Sequence, residues 1–294
     1  MKKKTSFSTR GQRADIGALT IYRLLANRYS DAVGPFVFLD HIVPKVHSSP
    51  INSGTGGHPH RGIATLSYII EGEDEHFDSA GNYAKVYSGG IQWMKAGNGI
   101  IHDETLSVDS KTDNNRTHAF QFWINLPAKN KAEKPDYLAI QGNEVPQKKL
   151  PNDSGWIKVI AGNYEDLNSK IPNYSEQFLY HIQAESGKKF IIAIDEKIEI
   201  AAFLPTKNAM LNDIKYQAGE FIEFDRSAGE IVIENKLNGA IDILLFGGKP
   251  YAEPIVAEGP FVMNNRSEIA DAYRDFYAGK YGKINYENVT GNIE

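Results

Sequence analysis

"GGHPHRGIATLSYIIEG", residues 56 to 72, sets two histidines one residue apart at a Gly/Pro turn and runs on into an apolar stretch of strand character. Along a strand, residues i and i+2 point to one face, ~7 Å apart. His58 and His60 are therefore presented to the same side. The spacing recurs in "GNGIIHDETL", residues 97 to 106, where His102 and Glu104 follow another Gly-rich turn. If the two strands are neighbours with both pairs facing inward, three imidazoles and one carboxylate meet at a single point. That donor set suits a divalent metal ion. An HxH pair by itself is more often a surface or core feature, and the second pair about 40 residues on gives the metal reading its weight.

The surrounding chain has the same strand rhythm. From residue 17 to 126 the runs ALTIYRLL, FVFLD, IATLSYII, EHFDS, AKVYS, IQWMKA and AFQFWINL are separated by Gly, Asn, Asp or Pro. Short β-rich runs with turn signals between them predict a sandwich or barrel. The polar stretch from Pro127 to Gly155 reads as a linker or irregular connection. The rhythm resumes with WIKVIAG, FLYHIQAE, KFIIAI, IEIAAFL, FIEF, EIVIEN and IDILLFGG.

The two halves echo each other. GGIQWMKAGNGIIHDE (Gly89 to Glu104) is mirrored by AGEFIEFDRSAGEIVIEN (Ala218 to Asn235), which argues for a duplicated fold. The expectation is all-β: two antiparallel barrels of jelly-roll type, over residues 1–135 and 136–294, with a short C-terminal helix. In RSEIADAYRDFYAGKYG, Ile269, Ala272, Tyr273 and Phe276 recur at helical spacing, Ser267 is the expected N-cap, and Gly279 ends the helix.

Composition narrows the function. The chain has 294 residues, 41% hydrophobic and 23% charged, long enough for two domains without staples. Cysteine is absent, so disulfides, thiolate nucleophiles and Cys-type zinc sites are excluded and any metal must be held by nitrogen and oxygen. A closed structural zinc site without a thiolate is the least fitting metal reading. The net charge is −5 with no basic cluster, so direct nucleic-acid binding is not expected. No run reaches membrane-spanning length and no leader is evident, so a cytoplasmic location is expected.

Of eight histidines only His181 lies in the second half, which puts histidine chemistry in the first domain. His76 is expected to face solvent, with the pocket as the alternative. His118 is expected at a strand edge or as an outer hydrogen-bond partner of the site. His41, His47 and His181 are read as ordinary structural histidines.

The segments HPHRG, QWMKAGNGIIHDE, FQFWINLP and GPFVMN (Gly259 to Asn264), in that order, resemble the pirin family of the cupin superfamily across nearly the whole chain. The resemblance implies a bicupin with one mononuclear metal in the N-terminal barrel, held by His58, His60, His102 and Glu104. The chain departs from the family in having Ala64 where a Glu commonly follows HPHRG, which puts substrate preference in question. In the second barrel, the segment corresponding to His102 reads EIVIENKL, without histidine, so a structural role is expected there.

The resemblance further implies quercetin 2,3-dioxygenase activity: ring-opening of a flavonol by O2. Iron(II) is the expected metal, with Mn, Ni, Co, Cu or Zn able to use the same ligands. Glu104 is the expected base as well as a ligand. Phe36, Phe38, Met94 and Phe122, with Trp93 and Phe120 as further candidates, are the expected apolar wall for an aromatic substrate. The resemblance also implies an alternative function, a redox-sensing regulator that binds a transcription factor or a metabolic enzyme, with the metal acting as the switch.

Overall fold

The computed structural model describes residues 1–17, 19–26, 31–48 and 54–287. The chain forms two compact units that interleave along the sequence. One comprises Met1–Arg13, Tyr22–His41 and Val145–Tyr251, and the other Ala14–Ile21, Ile42–Glu144 and Ala252–Glu294. The all-β expectation holds, with antiparallel sheets of jelly-roll type rather than closed barrels.

In the unit that carries the histidine pairs, strands Asp136–Ile140, Ile91–Lys95, Ile63–Glu71 and Arg116–Asn125 lie side by side in that order. A smaller sheet runs His58–His60, Ile100–Ser107, Glu73–Asp78, Tyr83–Tyr87. Alternation decides which face of the larger strands meets the smaller sheet. Thr65 and Ser67, Gln92 and Met94, and Gln121 and Trp123 share one face, in register across three strands. Leu66, Trp93 and Phe122 take the other.

The expected linker from Pro127 to Gly155 is instead partly built into the sheets. Asp136–Ile140 pairs with Ile91–Lys95 as an edge strand, and Gln147–Lys149 pairs with Gly155–Ala161. Its charged and Pro-rich flanks hide the alternation of DYLAI, which becomes a strand by pairing along the whole of Ile91–Lys95.

The other unit repeats the strand order. Phe221–Phe224, Glu199–Phe203 and Ile241–Gly248 are successive neighbours, as Ile91–Lys95, Ile63–Glu71 and Arg116–Asn125 are. Its smaller sheet, led by Lys189–Ile194 beside Gly229–Glu234, matches the histidine sheet in the same way. Its interior is filled by an apolar cluster that includes Phe190, Ile192, Ile194, Ile231 and Ile233. Burying such side chains contributes ~1.5–3 kcal/mol each and leaves no donor where the first unit has histidines.

The C-terminal helix spans Arg266–Tyr277 and buries Ile269 and Ala272 against Phe261, Met263 and Tyr281. Its N-cap is Asn265 rather than Ser267: the Asn265 side chain accepts from the Glu268 N–H at 3.0 Å. Glu268 in turn accepts from the Asn264 N–H at 2.8 Å, a reciprocal arrangement close to a capping box, for which Ser267 stands two residues too late. Gly279, at φ +74°, follows the helix end. Among the described residues, no helix is long and apolar enough to cross a membrane.

Candidate metal centre

The strand His58–His60 pairs with Ile100–Ser107 so that His58 stands opposite His102, and His60 opposite Ile100. On its other side Ile100–Ser107 pairs with Glu73–Asp78, which sets Glu104 opposite His76 and His102 opposite Asp78. Three pairs at i, i+2 spacing thus lie on three adjacent strands.

The imidazoles of His58, His60 and His102 converge, with one donor nitrogen from each within 4.8 Å of the others. The Nε2 atoms of His58 and His102 are 3.0 Å apart. Two nitrogens each ~2.1 Å from one ion and at right angles to it stand ~3.0 Å apart, so the spacing is that of neighbouring ligands. The other ring nitrogens fix the tautomers. His58 Nδ1–H donates to the Gly56 carbonyl at 2.8 Å, and His60 Nδ1–H donates to the Pro260 carbonyl at 3.1 Å. Each Nε2 therefore carries a free lone pair, the arrangement by which metal-binding histidines are oriented. Burial, with the neighbouring His58 adding to it, pulls His60 down to about 3. Burial and then the charges of His60, His58 and His76 hold His102 well below the ordinary histidine range. Both are thus neutral and able to ligate through the physiological range.

Glu104 belongs to a second three-donor group, with His76 and His102. Its Oε1 is 3.6 Å from His76 Nδ1 and 3.7 Å from His102 Nδ1, and both nitrogens are buried without a hydrogen-bond partner. Ser67 Oγ lies 3.2 Å from the same carboxylate and 2.5 Å from Gln121 Oε1, and its one proton serves one of the two at a time. The carboxylate lies beside the three-imidazole cluster, on the His102 side. The converging donor types and the neutral imidazoles of His60 and His102 fit a divalent ion.

His76 corrects the expectation of a solvent-facing residue. It is fully buried, stacked on Tyr137 with ring centroids 4.4 Å apart, and its Nε2 is 3.3 Å from Asp78. Burial pulls its pKa down, but Asp78 and Glu104 outweigh that and push it up to about 9. Asp78 is held low despite its burial by His76 and by Asn82. Asp74, next on this face, is pushed well up by burial and by the charge of Glu104. The i, i+2 spacing of His76 and Asp78 was the signal in the sequence, since it repeats the pattern of the other two pairs.

The larger sheet closes the site with a mixed wall. Trp123 meets the His60 ring edge-on at 4.9 Å, and Gln92 Nε2 donates to the Asp74 carbonyl while its Oε1 accepts from Tyr137. Of the aromatic wall expected from the sequence, Met94 shares this face, whereas Phe122 is on the opposite one. Phe36 and Phe38 belong to the other unit, where Phe36 packs edge-on against Phe246 and Phe38 lies beneath the Arg23 guanidinium. Trp93 and Phe120 are buried with Phe122 on the face away from Ser67. Ala64 also faces away from Ser67, opposite Lys95, which takes its carboxylate from Glu133 at 2.9 Å.

The remaining histidines have structural partners. His47 bonds Thr117, His181 bonds Asp242, His41 packs on Phe203, and His118 is buried beside Phe120.

The family model described as Pirin matches residues 19–124, and that of the Pirin C-terminal cupin domain matches residues 179–282. A pirin-like protein of Caulobacter vibrioides is 31% identical, over 92% of this chain and 96% of its own. The crystal structure of quercetin 2,3-dioxygenase from Acinetobacter baumannii superposes with a TM-score of 0.86 at 28% identity, covering 96% of this chain and 99% of that one. A bacterial pirin from Escherichia coli, solved in complex with nickel(II), shares the fold at 21% identity and a TM-score of 0.63, covering 85% of this chain and 98% of its own.

Proposed function

The chain belongs to the pirin family, and on that premise we propose that it is a mononuclear metal protein that opens the ring of a flavonol such as quercetin with O2. The ligands in this reading are His58, His60, His102 and Glu104, and the metal is iron(II), although Mn, Ni, Co, Cu and Zn accept the same donors. The observation that carries it is the convergence of the His58 and His102 Nε2 atoms at 3.0 Å, with the Nδ1 of His58 and of His60 committed to carbonyls. The likeness to the Acinetobacter baumannii quercetin 2,3-dioxygenase supports the substrate class.

A divalent ion held there supplies Lewis acidity and, if it is iron, one-electron chemistry with O2. The chain supplies the rest. Glu104 is the base for the flavonol hydroxyl proton, and Ser67, when its proton serves this carboxylate rather than Gln121, keeps its lone pairs directed inward. Trp123 and Met94 offer apolar surface to an aromatic ring, while Gln92 and Gln121, on the same face, offer amides to its hydroxyl and carbonyl groups. Burial between the two sheets keeps bulk water from His60 and His102.

The test is anaerobic purification with elemental analysis, followed by O2 uptake and carbon monoxide release with quercetin. The parent is compared with the double variant His58→Ala, His60→Ala. Near-stoichiometric metal and uptake that the variant lacks are expected. Bound metal without uptake overturns the dioxygenase reading and favours a redox-sensing regulator whose partner is a transcription factor or metabolic enzyme.

A further inference from the structure

We propose that His76 is the residue that positions Glu104: it orients the carboxylate so that one oxygen is directed to the three-imidazole cluster. The inference rests on Glu104 being a ligand, as proposed above.

His76 cannot turn freely. Tyr137 stacks on its ring at an interplanar angle of 13°, and Asp78 engages its Nε2. Asp78 is itself locked by a turn, accepting from the N–H groups of Ala80 and Asn82 at 2.9 Å and from the Asn82 side chain at 2.8 Å. Tyr137 is anchored in turn by its hydroxyl, which donates to Gln92. The ring therefore has one free edge, Nδ1, and the register that sets His76 opposite Glu104 aims this edge at Oε1. Nδ1 is buried and without a partner at 3.6 Å, a gap that a small turn of the carboxylate closes. Ser67 approaches the same carboxylate from the facing sheet. With Ser67 and His76 on two sides, the carboxylate has a restricted set of orientations, and His102 lies beside it on the same strand. Outer partners of this kind commonly change metal affinity by ~10–100-fold.

The experiment is cobalt(II) titration of the metal-free full-length chain, read by its d–d absorption spectrum and its affinity. His76→Phe, His76→Asn and Glu104→Gln are compared with the parent, with circular dichroism to establish folding. Phe keeps the ring stacked on Tyr137 and lacks a donor, whereas Asn places an N–H where Nδ1 stands and lacks the ring. The expected result is a His76→Phe spectrum shifted toward that of Glu104→Gln, with affinity about tenfold weaker, and recovery of the parent spectrum in His76→Asn. A His76→Phe protein with the parent spectrum overturns the proposal, as does an Asn variant that departs further from the parent than Phe, which would mark the ring as packing. A Glu104→Gln spectrum identical to the parent instead removes Glu104 from the ligand set, and this positioning role with it.

Discussion

His58 and His102 stand directly opposite each other on antiparallel neighbours, and their Nε2 atoms lie 3.0 Å apart. With the His58 Nδ1–H given to Gly56, two lone pairs are brought together unless an ion or a proton lies between them. In the metal-free chain the one N–H of a neutral His102 bridges the pair, and an ion that takes both lone pairs replaces it, so metal binding and stability are linked. A divalent ion at 100 times its Kd is expected to stabilise the folded chain by about 2.7 kcal/mol. Thermal melting with and without metal checks this, and His102→Ala should abolish the difference.

Lys131 gives a pH signature independent of the metal. It is buried, with Nζ donating to Asn125 Oδ1 at 2.7 Å and to the Val262 carbonyl at 2.6 Å. Burial brings its pKa down to about 8 from 10.5. A neutral amine keeps both donors, so the fold favours losing the proton. Between about pH 8 and 10.5 the unfolded chain holds more protons than the folded one, and stability contributed by this group rises with pH, by at most about 1.4 kcal/mol per unit. Urea midpoints of the parent and Lys131→Met across that window are the check. The difference between them should narrow or change sign as pH rises, and a constant difference would sink the assignment.

Restoring the family's common carboxylate should leave the metal site untouched. Ala64 faces away from Ser67 and toward Lys95. In Ala64→Glu, the new carboxylate is expected to compete with Glu133 for Lys95, while the cobalt spectrum and affinity stay within twofold of the parent. A changed spectrum would show that position 64 reaches the ligands.

Gly99, in the turn before His102, sits at φ +125°, and a Cβ there would come within 2.1 Å of the Tyr281 ring. Gly99→Ala should lose roughly 1–3 kcal/mol from the backbone conformation alone, with displacement of Tyr281 adding to it. Tyr281 hydroxyl bonds Ala272 and approaches Arg61, so the loss should extend to the C-terminal helix. Chemical denaturation and amide exchange in Arg266–Tyr277 are the measurements, and unchanged protection there would contradict the coupling.

Much was legible in local pattern. The strand period places His58 with His60, and His102 with Glu104, whatever surrounds them, and the helix from Arg266 to Tyr277 declares itself by Ile269 and Ala272. The edge strand Asp136–Ile140 was not legible, because five residues with charged flanks become a strand only when Ile91–Lys95 offers its free edge. Phe36, Phe38 and Phe122 read as pocket wall because aromatic residues look alike until strand pairing says which face and which unit they join.

The sequence by itself determined the donor types, their i, i+2 spacing, the lack of thiols and the two-fold repetition of the strand rhythm, since each is set by covalent order and the two-residue period of a strand. Only the tertiary structure decided that His102 lies opposite His58, that Pro260 fixes the His60 tautomer, and that His76 sits against Glu104. Those relations depend on register and on contacts up to 200 residues apart. A slip of one residue would turn every inward side chain outward, so they are fixed by burial of whole faces rather than by any local preference.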